Sequence, residues 1–189
     1  IPFLQREITR VDEKTALARR AIEEIAEDDI IALDASSSAY QLARLLPDVP
    51  ISVVTNSLPV LIELEGREHV RAIATGGIID PTTRSFTGPL VDRALDVYHI
   101  NKFFFSCGGL DFERGLSEAQ EENVRFKQKL LPLVDRAYLL ADASKFEVKS
   151  KIFFARVDEV DVVFTDGAVE EEWIGRLGEM GVDGVVCAA

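Results

Sequence analysis

The groups able to do chemistry fall in short polar clusters, each directly after an apolar run. The first is Asp34-Ala35-Ser36-Ser37-Ser38. Three hydroxyls and a row of backbone N–H groups at a helix start suit a phosphate monoester, because such a start carries unpaired donors and the positive end of the helix dipole. The competing reading is that one serine merely caps the helix. Thr55-Asn56-Ser57 is the second cluster. Its amide both donates and accepts, which fits sugar hydroxyls, although a simple cap explains the same residues. Gly76-Gly77 and Gly108-Gly109 permit either close backbone approach to a ligand or an ordinary turn. Asp142-Ala143-Ser144-Lys145 sets one cation at a strand end in an acidic chain. A lysine there meets a phosphate as a point charge, or else lies on the surface paired with Asp142 or Glu147. Asp166 reads best as a helix cap.

Other chemistries lack their residues. No Gly-x-Gly-x-x-Gly follows a strand, and there is no Gly-x-x-x-x-Gly-Lys-Ser/Thr, so no nucleotide cofactor is expected. Gly-x-Ser-x-Gly is absent, which removes the usual hydrolase nucleophile. Cys107 has no histidine near it in sequence and is read as a packing residue. The two cysteines, Cys107 and Cys187, are too few for a zinc site or a disulfide scaffold. His69 and His99 lack metal-ligand spacing and precede strands, away from the polar clusters. A metal-free, cofactor-free chain is the expectation.

The elements that must position these clusters repeat one grammar: apolar strand, polar turn, amphipathic helix. Strands are expected at Ile30–Leu33, Ile51–Val54, Val70–Ala74, Lys102–Phe105, Ala137–Ala141, Val160–Phe164 and Gly184–Cys187. A helix from about Glu13 to Glu27, capped by Asp12, precedes the first strand. This alternation predicts an α/β, Rossmann-like domain, a mostly parallel sheet with helices on both faces. In such open sheets ligands bind outside the carboxyl ends of the strands, where the clusters lie. Asp80–Gly88 and Asp111–Ser117 are expected to be loops that cover the ligand. Residues 1–10 show no periodicity and read as a linker, leaving 11–189 as the folded domain. The chain opens without Met, so an upstream segment is expected.

Asp and Glu total 33 against 21 Lys and Arg, a net charge of −12, which argues against a broad grip on a nucleic-acid backbone. Hydrophobic residues make up 47%, enough for a core, so global disorder is not expected. No apolar run is long enough to span a membrane and no basic-then-apolar leader opens the chain, so a cytoplasmic protein without membrane contact is expected.

Taken in order, several pieces resemble the C-terminal effector-binding domain of the DeoR family of bacterial transcription regulators. They are Ile31-Ala32-Leu33-Asp34-Ala35-Ser36-Ser37, Val54-Thr55-Asn56-Ser57, Gly76-Gly77 with Ser85 and Gly88, Gly108-Gly109-Leu110 with Gly115-Leu116-Ser117, Leu140 to Phe146, and Val163-Phe164-Thr165-Asp166. The resemblance implies a fold like ribose-5-phosphate isomerase and the CoA transferases. It implies a phosphorylated sugar or related metabolite as effector, self-association into a dimer or tetramer, and a repressor's role in carbohydrate metabolism. It also implies an N-terminal winged helix-turn-helix that carries the DNA contact and is not in this chain. By matching, Asp34, Ser36, Ser37 and Ser38 fall on the first ligand loop, Thr55, Asn56 and Ser57 on the second, and Gly76 and Gly77 on the third. Ser85, Gly108, Gly109 and Asp142 join them, and Lys145 is the lysine expected to meet the phosphate. Two departures stand out. Ser36 replaces the usual glycine of the first loop, adding a Cβ where backbone would approach the ligand. Where the family often has a glutamate four residues before a helical lysine, Asn123 precedes Lys127.

The favoured reading is a sensor and not an enzyme, with a phosphate on Ser36, Ser37, Ser38 and Lys145. Asn56 and a carboxylate, Asp34 or Asp142, would hold sugar hydroxyls. The alternative is a sugar-phosphate isomerase, which needs a carboxylate base over the substrate. The acidic motif of ribose-5-phosphate isomerases is replaced by Ser106-Cys107-Gly108-Gly109-Leu110, leaving only Asp111 and Glu113 nearby. A third possibility is a pure oligomerisation domain with a vestigial pocket.

Overall fold

The computed structural model describes residues 2–188. In chain order it runs through α1 (Phe3–Glu7), α2 (Val11–Ile22), β1 (Ile30–Leu33), α3 (Ser37–Leu45), β2 (Ile51–Thr55), α4 (Leu58–Leu64), β3 (Val70–Ala74), β4 (Ile78–Asp80), β5 (Ser85–Thr87) and α5 (Pro89–Leu95). It continues through β6 (Lys102–Phe105), β7 (Gly109–Asp111), β8 (Gly115–Glu118), α6 (Glu121–Leu130), β9 (Arg136–Leu140), β10 (Ile152–Ala155), β11 (Val162–Asp166), α7 (Glu171–Glu179) and β12 (Asp183–Cys187). Single 3-10 turns lie at Ala143–Lys145 and Val157–Glu159.

Seven strands form one sheet in the order β12-β11-β9-β6-β1-β2-β3. All six neighbouring pairs are parallel. These are the seven expected strands, to within two residues at each end. They were expected because a strand covered on both faces must be apolar at every position. Alternate residues divide between two cores. Ile31, Leu33, Val53, Phe104, Tyr138, Leu140 and Phe164 face α2, α3 and α4. Ala32, Val54, Phe103, Phe105, Ala137, Leu139 and Val163 face α5, α6 and α7. Aromatic rings stack on both faces: Phe104 and Tyr138 lie 4.7 Å apart between centroids across β6 and β9, and Phe103 and Phe105 4.6 Å apart along β6 on the other face.

From β1 the chain winds outward through β2 and β3, then returns to the other side of β1 and continues through β6, β9, β11 and β12. The order therefore reverses between β1 and β6. At such a point the connections after two adjacent strands diverge to opposite faces, opening a crevice at the carboxyl ends.

The structure departs from expectation in three places. The opening segment is not extended: Phe3–Glu7 is a short helix, held because Phe3 is buried with its ring edge-on to Tyr40 at 5.7 Å. The next helix begins at Val11, not Glu13, on the left-handed residue Arg10, with Asp12 in the first turn and not at the cap. The two expected covering loops are hairpins. Within Asp80–Gly88 the chain pairs β4 with β5. Within Asp111–Ser117 it turns between β7 and β8, which join β10 in a small antiparallel sheet. Asp111 makes that turn, accepting from Arg114 N at 2.7 Å and Glu113 N at 3.2 Å.

Candidate functional site

The turn after β1 is built from inside. Ser36 Oγ donates to Asp34 and accepts the Ala39 N–H at 3.1 Å, which caps α3. Its carbonyl accepts the Tyr40 N–H at 3.1 Å. That leaves the N–H groups of Ser37 and Ser38 as the unpaired donors of the first turn, at the positive end of a nine-residue helix. Asp34 is 2% exposed and wholly engaged. It accepts from Ser36 and from Ser106 N at 3.2 Å, tying the end of β1 to the end of β6.

Beneath this turn lies Lys127 of α6, also 2% exposed. Its ammonium donates to Ser106 O at 2.6 Å and to Glu118, and stands 3.4 Å from Asp34. Burial alone would lower its pKa, but Glu118 and Asp34 outweigh that and hold it above the ordinary lysine value. Lys127 is therefore a fixed cation that joins the ends of β1, β6 and β8.

Above this floor, at the reversal between β1 and β6, opens a cavity of about 330 Å3. Ser36, Ser37, Ser38, Gly108, Asp142 and Lys145 line it, together with Arg6, Arg10, Lys14, Ser106, Cys107, Glu118 and Asn123. The residues expected to hold an anion, the serine turn and Lys145, thus share one cavity. Four cations, Arg6, Arg10, Lys14 and Lys145, face two carboxylates, Glu118 and Asp142. Glu118 is committed to Lys127, and Asp142 holds Ser144 and approaches Arg10 at 3.7 Å. The cavity thus carries a local surplus of positive charge in a chain of net charge −12. Lys14 is buried by the carbonyls of Arg6 and Thr9, each 2.6 Å from its ammonium. Desolvation lowers its pKa to about 8. Burial pushes the Cys107 thiol up to about 12, which suits the packing role expected of it and not that of a nucleophile.

Several expected site residues lie elsewhere, each for a structural reason. Thr55 donates to Leu33 O at 2.7 Å, binding β2 to β1. Ser57 caps α4. Gly77 has φ +122, and a Cβ there would lie 2.4 Å from Thr87 O; together with Gly76 it turns the chain into the β4–β5 hairpin. Ser85 is buried on Thr83, 2.7 Å between hydroxyls. A Cβ at Gly109 would lie 2.2 Å from Val148 O, so this glycine serves close packing of two chain segments. Asn56 sits between the serine-lined cavity and a second one. Its Nδ2 donates to Phe86 O at 3.4 Å, while Oδ1 is buried without a partner. Ser36 is in place, but its hydroxyl is spent on the cap and on Asp34.

The second cavity is larger, about 630 Å3, between α5, α6 and β5. Asp92, Glu121 and Glu122 line it against Arg125, which is itself paired with Asp92. That balance repels a dianion. The two cavities therefore differ in charge as well as in volume.

Lys127, Glu118, Asn123, Lys14, Arg10 and Arg6 were not among the expected ligand residues. For two of them a signal existed. Asn123, Val124, Phe126, Lys127 and Leu130 form the buried face of α6, so an amide and a lysine four apart occupy apolar positions of an amphipathic helix. The others come from the first fourteen residues, where periodicity is weak, or from the short strand β8.

This architecture belongs to the ribose-5-phosphate isomerase class of α/β folds. Ribose-5-phosphate isomerase A of Methanocaldococcus jannaschii superposes with a TM-score of 0.55 over 73% of this chain and 55% of its own, at 14% identity. The β subunit of eIF2B from Chaetomium thermophilum gives 0.57 over 81% of this chain and 48% of its own, also at 14% identity. The chain thus spans about half of these structures, and the likeness is one of fold. Within that class, the chain belongs to the DeoR C-terminal sensor domain family, whose model matches residues 9–167. An uncharacterised HTH-type transcriptional regulator of Bacillus subtilis, YulB, is 39% identical over 94% of this chain and 69% of its own length. The L-fucose operon activator of Haemophilus influenzae is 36% identical over 89% of this chain and 68% of its own. The regulator GlpR of Haloferax volcanii is 32% identical over 96% and 72%. The relatives are transcription regulators. Among the described residues no helix is long and apolar enough to cross a membrane.

Proposed function

We propose that the cavity at the β1–β6 reversal binds a phosphorylated sugar or related metabolite, and that the domain senses this effector without transforming it. One observation carries the reading: the free N–H groups of Ser37 and Ser38 and the Lys145 side chain line a single cavity with three further cations, Arg6, Arg10 and Lys14, and two engaged carboxylates. A volume of about 330 Å3 suits one small ligand and is too small for a dinucleotide. Backbone donors and Lys145 hold the phosphate; Asn123 and Asp142 face the sugar hydroxyls. Relatives named for an L-fucose operon support a sugar-derived effector.

A sensor is favoured over an isomerase because the carboxylates are occupied. Asp111 makes a turn and pairs with Lys149 at 3.2 Å, outside the cavity, and Glu118 is bound to Lys127. In the full regulator, DNA contact belongs to a helix-turn-helix outside this chain, and the effector shifts the balance between two states by no more than its difference in affinity for them. Calorimetry against a panel of sugar phosphates tests the reading. Binding that is lost in Lys145→Ala supports it. Absence of binding by every compound, or turnover that depends on Glu118, refutes it.

A further inference from the structure

Arg6 of α1 borders both the effector cavity and a small void beneath it. Its Nε and Nη2 are shielded from solvent and have no hydrogen-bond partner among the described residues. Its guanidinium carbon lies 5.7 Å from the centre of the Phe3 ring, a contact that satisfies none of its donors. A guanidinium does not escape burial by deprotonating, and buried charged donors without partners are costly. The stem that carries it is fixed. Phe3 is packed against Tyr40, and Lys14 holds the Arg6 carbonyl. Asn56 Oδ1, an acceptor equally buried and equally unpaired, lines the same void. The void, lined also by Asp34 and Glu118, both paired with Lys127, has about 10 Å3, room for one oxygen-sized group. A donor and an acceptor that both lack partners across so small a gap describe the end of a ligand that brings its own oxygens.

We infer that Arg6 is a direct contact to the anionic group of the effector, so that the segment ahead of α2 is part of the binding site. The inference rests on the sugar-phosphate reading above. The family match begins at residue 9 and does not include Arg6. The Nε–H and Nη2–H of arginine lie side by side and together grip one phosphate oxygen entering the void, a grip the single ammonium of Lys145 does not offer. Asn56 then accepts from a ligand hydroxyl, or from a water carried in with it. The anion lies between the first turn of α3 and α1, and its binding fastens α1 to the domain.

The test uses the whole chain with inorganic phosphate as probe. Phosphate affinity is measured for the parent, Arg6→Ala, Arg6→Lys and Lys145→Ala, and the Arg6 Nε–H resonance is followed by NMR in the parent. Expected are a loss of about tenfold or more in Arg6→Ala, partial recovery in Arg6→Lys, and a shift of the Nε–H resonance that saturates with the same Kd as the calorimetric titration. If Lys145→Ala weakens binding while Arg6→Ala matches the parent and the resonance stays still, the inference is overturned and the sugar-phosphate reading stands. If the parent binds no phosphate, both fall. Should Arg6→Ala fail to fold, the resonance in the parent decides.

Discussion

Replacing Lys127 by methionine keeps the length of the side chain and removes its charge. Two acceptors then lose their donor, Ser106 O at 2.6 Å and Glu118, and Asp34 loses an ion-pair partner at 3.4 Å. Asp34 keeps its contacts to Ser36 and Ser106, but Glu118 is left half-buried with no counter-charge. Removing one partner of a buried pair costs about 3–5 kcal/mol. With a urea slope of about 2 kcal/mol per molar, the unfolding midpoint falls by about 1.5–2.5 M. The pKa of Lys127 is raised, so its contribution is fully present at pH 7 and is lost only as pH climbs through the alkaline value it has when folded. Equilibrium unfolding followed by circular dichroism at pH 7 is the assay. Glu118→Gln added to Lys127→Met removes the stranded charge and recovers about 1–2 kcal/mol. A midpoint shift under about 0.5 M, or a double variant no better than the single, would refute the view that this lysine is the electrostatic floor of the site.

Gly109→Ala places a Cβ against Val148 O and is expected to lower the melting temperature by about 2–12 °C. Unchanged melting together with weakened phosphate binding would make Gly109 a ligand residue instead. Lys14 has its pKa lowered to about 8 by burial, so it is charged below that pH and neutral above it. Affinity for sulfate, whose charge is constant in this range, therefore falls between pH 7 and 9, and Lys14→Gln flattens the profile. A pH-independent parent contradicts this.

The seven-stranded sheet was legible because each strand is a short apolar run ended by a polar turn, and burial on both faces leaves no other composition open to it. Ile30–Leu33 and Lys102–Phe105 match residue for residue. The small sheet was hidden because β7, β8 and β10 are three or four residues each, and Gly115-Leu116-Ser117-Glu118 has no pattern that separates strand from turn. In the site, Ser37, Ser38, Asp142 and Lys145 were legible from position alone, since the end of a parallel strand is where such groups gather. Thr55, Ser57, Gly76, Gly77 and Gly109 have the same residue types in the same kind of position, yet their bonds run inward. Sequence does not reveal which way a polar side chain turns when both a helix cap and a ligand would satisfy it. Lys127 left a signal of another kind, a charge on a helix face that packing rules reserve for apolar residues, but nothing in the sequence shows that it is buried against Asp34 and Glu118.

Helix α2 precedes every strand in the chain, yet it rests on β9, β11 and β12 as well as on α3. Leu17, Ala18 and Ala21 can meet α3 early, but the core they share with Val162 and Phe164 closes only once residues beyond 160 have been made. During vectorial synthesis the earliest helices must wait, solvated or shielded by a chaperone, for the latest strands to leave the ribosome. A nascent chain halted before β11 would hold Arg6, Lys14 and the α3 surface they rest near, but not the strands that complete the core under α2, so that face closes late.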